Sequence, residues 1–137
     1  MTDKLAELLN YTNQPIINYF CHNHPQTNLN ECNLLFKDLL AWMWLKKQRD
    51  QMGKKTYLFG PLLSLDEMWH DFILHTRDYI DFCMHYFGEY LHHDVEPPGF
   101  EHHIDEAELR DYLDDCLTYL DQDWVERRFI AALRDSP

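Results

Sequence analysis

Hydrophobic residues recur at three- and four-residue intervals along nearly the whole chain, and no alternating stretch persists. The pattern therefore predicts helices throughout. The first amphipathic segment covers residues 3–10. Pro15 suits the first turn of a second helix that runs to about Cys21, and CHNHPQTN follows as a loop. A long third helix begins near Thr27 or Asn30 and stops at Gly53, a residue type suited to a helix C-terminus. Leu29, Cys32, Leu35, Phe36, Leu39, Trp42, Met43 and Lys46 trace its inner stripe, with the Lys46 stem laid over apolar surface. The connector KKTYLFGPLL reads as an apolar loop packed on the bundle, because TYLF has no strand to pair with.

Ser64-Leu65-Asp66-Glu67 has the spacing of a capping box, flanked by Leu63 and Met68 as a hydrophobic staple. At ~100° per residue, Trp69, Phe72, Ile73, Thr76, Ile80, Cys83, Met84 and Phe87 share one face. One continuous helix over 65–87 is expected, closed by Gly88, with Thr76 as the alternative start of a second segment. The His-rich stretch HHDVEPPGFEHH is a loop, because Pro97, Pro98 and Gly99 exclude helix there. Asp105-Glu106-Ala107-Glu108 forms a second capping box. Leu109, Tyr112, Leu113, Cys116, Leu117 and Leu120 are the core stripe behind it. Asp121 or Asp123 opens a last helix over Trp124, Val125, Phe129, Ala132 and Leu133. The fold class is all-α, a single-domain bundle of about five or six helices spanning residues 1–137.

Composition narrows the functional classes. The chain has 137 residues, 45% of them hydrophobic and 15% aromatic, enough to build a core. It holds 24 acidic and 12 basic residues for a net charge of −12, and every Lys lies at or before Lys55. Residues 1–60 carry 5 acids and 7 bases, so the negative charge belongs to the second half. Such a surface repels phosphate backbones and anionic membranes, so direct nucleic-acid and membrane binding are disfavoured. A metal cation or another protein with a basic surface suits it, although a solvated acidic face needs no partner at all. No apolar run approaches the ~18 residues of a membrane span. The N-terminal residues lack an apolar signal core, and the four cysteines show no paired CxxC. The expectation is a cytoplasmic protein with free thiols.

Candidate chemistry concentrates in WHDFILHTRDYIDFCMHYFGEYLHHD, residues 69–94. Seven of the nine histidines fall between His70 and His103. His, Cys and carboxylate are the ligand set of zinc, which needs about four donors at ~2.0–2.3 Å. The candidate metal ligands are His70, Cys83, His92 and His93. On a straight helix His70 and Cys83 would point about 140° apart and stand roughly 20 Å apart along the axis. They can share an ion only if the chain breaks near Thr76. A second arrangement pairs His92, His93 and Asp94 with His102, His103 and Asp105 across the Pro-Pro-Gly turn. Cys21, His22, His24 and Cys32 could clip a loop to a helix start. Plainer roles are available for each: Trp69 and Cys83 as core residues, His70 as a hydrogen-bonded boundary residue, and His75 as a surface partner of Asp71 or Asp78. Asp114, Asp115, Asp121 and Asp123 read as a solvated acidic surface. No phosphate loop, dinucleotide fingerprint, nucleophile elbow or HExxH is present.

Trp69-His70, Leu74, Tyr79, Cys83 with Gly88 five residues on, and His93-Asp94 together resemble the motif of the glycine-rich domain-containing protein-like family. Leu65-Asp66 also fits. Phe72, Thr76 and Phe82 depart from that family's His, Pro and Asp, and the glycine-rich tail is missing. The resemblance implies a helical domain and no defined reaction.

Three roles follow. The first is a small acidic helical module that binds a protein with a basic surface. The second is a zinc protein, structural or hydrolytic, built on His70, Cys83, His92 and His93. The third is an acidic nucleic-acid mimic that inhibits a DNA- or RNA-binding enzyme. No signature marks an enzyme.

Overall fold

Four short polar side chains set the starts of four helices. Asn13, Asn28, Asp105 and Asp121 each accept a hydrogen bond from the amide three residues on, at 3.2, 2.8, 2.7 and 2.8 Å. Each satisfies one of the orphan donors of a first turn. The computed structural model describes residues 4–94 and 104–130. Its α-helices are α1 (Lys4–Leu9), α2 (Gln14–Asn23), α3 (Leu29–Gln51), α4 (Leu63–Leu74), α5 (Thr76–Phe87), α6 (Glu106–Tyr119) and α7 (Gln122–Val125). A 3-10 turn over Gly60–Leu62 leads into α4, and a π-turn over Glu126–Ile130 continues α7. The architecture is all-α with a single core, and no strand occurs among the described residues. Among the described residues seven α-helices stand where five or six were expected. The stretch 65–87 is broken into two, which adds one helix to that count.

The break falls at His75, whose backbone (φ −85, ψ 68) leaves the helical region. The His75 amide bonds to the Phe72 carbonyl at 3.1 Å, and its ring Nδ1 donates to the Asp71 carbonyl at 2.8 Å. The imidazole thus takes the carbonyl that a continuing helix would have given to the backbone. That is its role in place of the expected carboxylate contact. The break also changes the buried face. Tyr79, Phe82 and Cys83 face inward, while Ile80 and Met84 are about half exposed. Projection along a continuous helix had put Ile80 and Met84 inside. A non-helical residue resets the angular phase, so the two halves cannot be read on one wheel.

The Ser64 capping box does not form. The helix already begins at Leu63, fed by the 3-10 turn, so Ser64 lies within the first turn and Glu67 bonds to His24 at 3.1 Å. The second box forms by half: Asp105 caps the amide of Glu108, whose carboxylate accepts from the Tyr57 hydroxyl at 2.6 Å. Leu29, placed on the α3 stripe by its spacing, is about half exposed in the first turn. The connector packs on the core through Tyr57, Leu58 and Phe59, as expected. Ala132 and Leu133, assigned to the last helix, lie outside the described residues.

Charge is used internally as well as at the surface. Asp38 on α3 is buried and accepts from Arg127 at 2.8 Å and Arg128 at 2.6 Å. Arg49, also buried, donates to the Lys55 carbonyl at 2.8 Å and pairs with Asp111 and Asp115 of α6. Asp115 is therefore a paired group and Asp121 a helix cap; neither belongs to a merely solvated acidic face. Arg49 joins a base of the first half to acids of the second, and Asp38 joins the two halves with the signs reversed.

At the centre, Trp42 and Trp69 lie 5.3 Å apart. Trp42 Nε1 donates to the Tyr112 hydroxyl at 2.9 Å, and Tyr112 donates to the Tyr57 carbonyl at 2.7 Å. Trp69 Nε1 donates to the Tyr79 hydroxyl at 2.9 Å, and Tyr79 donates to the Leu91 carbonyl. Burial pushes both phenols well above the usual tyrosine range, so they stay protonated and able to donate. Replacing either phenol by Phe leaves a buried indole donor and a carbonyl without a partner. Tyr79→Phe and Tyr112→Phe are each expected to cost about 1–3 kcal/mol in urea unfolding. Tyr19→Phe, at an exposed site, is expected to stay within about 0.5 kcal/mol.

Candidate metal centre

Asp66 and His70 are four residues apart on α4, so they lie on the same helix face. Their closest approach is 3.5 Å, from His70 Nε2 to Asp66 Oδ2. A third donor arrives from the chain that follows α5. Gly88 closes that helix in the left-handed conformation (φ 72), which turns the backbone toward α4 without a Cβ penalty. The Tyr79 hydroxyl then holds the Leu91 carbonyl, and His93 lands with Nε2 2.6 Å from Asp66 Oδ1. One ligand atom from each of Asp66, His70 and His93 lies within 4.8 Å of the other two. His93 stacks near Trp69, with centroids 4.2 Å apart, and near His70 at 4.7 Å. Its Nδ1 lies 3.3 Å from the Asp94 carbonyl, the kind of partner that orients a metal-bound imidazole. Asp66 and His93 are partly buried, while the His70 side chain keeps 55% of its surface exposed.

The cluster sits on the wall of an open cleft of about 950 Å³. Residues 54–58 and the end of α3, including Lys54, Tyr57 and Lys46, also line it. Thr56 Oγ1 is buried in that lining without a hydrogen-bond partner.

The structure therefore unites two of the four residues singled out by sequence, His70 and His93, and adds Asp66. His92 borders the cleft, is exposed and lies against Tyr90 with ring centroids 4.6 Å apart. Cys83 does not join the group. Although the chain does break beside Thr76, as a shared site required, α5 turns Cys83 into the core, where it is fully buried. Burial raises its thiol pKa, against the smaller lowering effects of the Leu91 backbone and the Tyr79 hydroxyl. A thiol that resists deprotonation in an apolar site is a packing group. The expected pairing of the two His-His segments involves His102 and His103, which lie outside the described residues, and Asp105 is spent as a helix cap. Asp66 escaped the sequence reading because the apparent capping box explained it. The Asp-x-x-x-His spacing was its signal.

A neighbouring carboxylate on the same helix shows the cost of a missing partner. Asp71 Oδ2 is buried and unpaired. Desolvation raises its pKa, with His24, His75 and His70 pulling the other way. A carboxyl whose folded pKa lies above its unfolded value loses stability as pH rises through the acid range. Asp71→Asn is therefore expected to raise Tm at neutral pH, and the gain should disappear at acid pH where wild-type Asp71 is protonated. A thermal melt series over pH checks this.

The comparisons with known proteins correct one expectation. No curated protein and no solved structure matches the chain. One family model matches residues 5–115, which takes in nearly all of α1, α2 to α5, the Asp66, His70 and His93 cluster and most of α6. It is not the glycine-rich domain family that the Trp-His motif resembled, so the motif spans too little of the chain to carry that assignment. The chain belongs to the UCP032817-like family, which is uncharacterised.

Proposed function

We propose that this protein is a helical metal-binding domain that holds one zinc-class divalent ion through Asp66, His70 and His93. The reading is carried by one observation: three donors from two separate chain segments converge within 4.8 Å on the wall of a cleft. Two imidazoles and a carboxylate suit zinc, and three protein donors leave a fourth position for water or a bound molecule. Structural zinc sites close all four positions with protein donors, so this set favours an ion that works on something entering the cleft. Bound there, zinc would polarise an oxygen or acidify a water. The protein's own part is to hold His93 through Tyr79 and Trp69, and to aim Asp66 and His70 from one helix.

Protein purified without a histidine tag and equilibrated with zinc should retain about one ion per chain by elemental analysis. Asp66→Asn, His70→Ala and His93→Ala should each lower affinity by at least about tenfold, whereas His92→Ala and Cys83→Ala should not. Binding should weaken as pH falls, because protons compete with the ion for the ligand atoms. A zinc content near zero in folded wild-type protein overturns the reading.

A second reading, a module for a basic protein partner, is favoured by the exposed carboxylates Glu106, Asp114, Asp123 and Glu126 along α6 and the segment after it. Such a partner would be released by salt.

A further inference from the structure

The corner between α2 and α3 carries a second chemistry that does not depend on the cleft. Cys21 lies in the last turn of α2 and is partly exposed, while Cys32 lies in the first turn of α3 and is 1% exposed. Thr27 stands between them. Its hydroxyl is 3.2 Å from Cys32 Sγ, and its carbonyl accepts from Cys21 Sγ at 3.9 Å. The same hydroxyl donates to the His24 carbonyl at 2.6 Å, which draws the loop tight. Both sulfurs thus touch one residue, Thr27, which places the two thiols at the same corner of the fold. Among the cysteines, Cys83 and Cys116 differ: both are sealed in the core at 0% exposure, and burial pushes the Cys116 thiol up to about 12.

We propose that Cys21 and Cys32 are a redox modification site, Cys21 reacting first with a small disulfide oxidant and Cys32 resolving the adduct to an intramolecular disulfide. Cys21 loses its proton and its sulfur attacks one sulfur of the oxidant, here oxidised glutathione. That S–S bond breaks, and one glutathione leaves and is protonated. Cys32 then loses its proton and attacks the Cys21 sulfur, releasing the second glutathione. Two electrons and two protons pass from the cysteines to the oxidant, which becomes two thiols. The partly exposed thiol suits first attack and the buried one suits resolution, because only an adduct already held in the corner can reach it. Burial, the largest influence on Cys32, raises its pKa, so ring closure accelerates as pH rises.

The test treats the full chain with oxidised glutathione and maps the product by mass. No Lys or Arg lies between Lys4 and Lys37, so trypsin leaves both cysteines on one peptide. That peptide should lose two hydrogens, and cleavage after Glu31 should yield two fragments joined by a disulfide. Cys32→Ser should accumulate a glutathione adduct on Cys21, and Cys21→Ser should accumulate none. Circular dichroism checks that both variants fold, and the wild-type map stands without them if either does not. A lasting adduct on wild-type Cys21, a bridge to Cys83 or Cys116, or no reaction overturns the proposal.

Discussion

A buried indole must find an acceptor for its single N–H, and two such demands organise this molecule. Trp42 and Trp69 lie against each other at the centre, and each is answered by a tyrosine hydroxyl that passes its own proton to a backbone carbonyl. A phenol is the apt intermediary because it accepts and donates at one atom. The two carbonyls, of Tyr57 and Leu91, belong to chain segments that border the cleft. The core therefore anchors the rim of the cleft as well as its own packing. Loops that would otherwise depend on surface contacts are tied to the least exposed part of the protein.

The break at His75 is the second constraint. Without it, residues 76–87 would carry the chain away from α4, and the segment after Gly88 could not return to it. The imidazole makes the break affordable by occupying the Asp71 carbonyl. Once α5 folds back, Tyr79 comes under Trp69 and His93 comes over Asp66. One local departure from helical geometry thus places two of the features on which the candidate centre relies.

Much of this architecture was legible in the sequence, for reasons that differ by element. Asp105 announced α6 because a cap and its amide are neighbours in sequence. Gly53 and Gly88 marked helix ends because both backbones are left-handed there. His70 and His93 stood out by residue type alone. What failed were inferences that required knowing the phase or the partner. Ser64 looked like a cap because its spacing was right, yet the preceding 3-10 turn had already started the helix. Ile80 and Met84 looked internal because a wheel assumes an unbroken helix. Asp115 looked like surface charge because its partner Arg49 lies far along the chain. Cys83 was grouped with His70 by chemistry, and the helix that brought it near also turned it inward.

Trp69 occupies a position that joins two kinds of interaction. Its indole meets Trp42 in the interior at 5.3 Å, and the His93 ring lies 4.2 Å from it. Any loosening of hydrocarbon packing around the tryptophan pair would be transmitted to the imidazole as a change of tilt. The cation affinity proposed for the cleft would then be tied to how firmly the interior is assembled, and a remote cavity in the core would be felt there as surely as the loss of a donor.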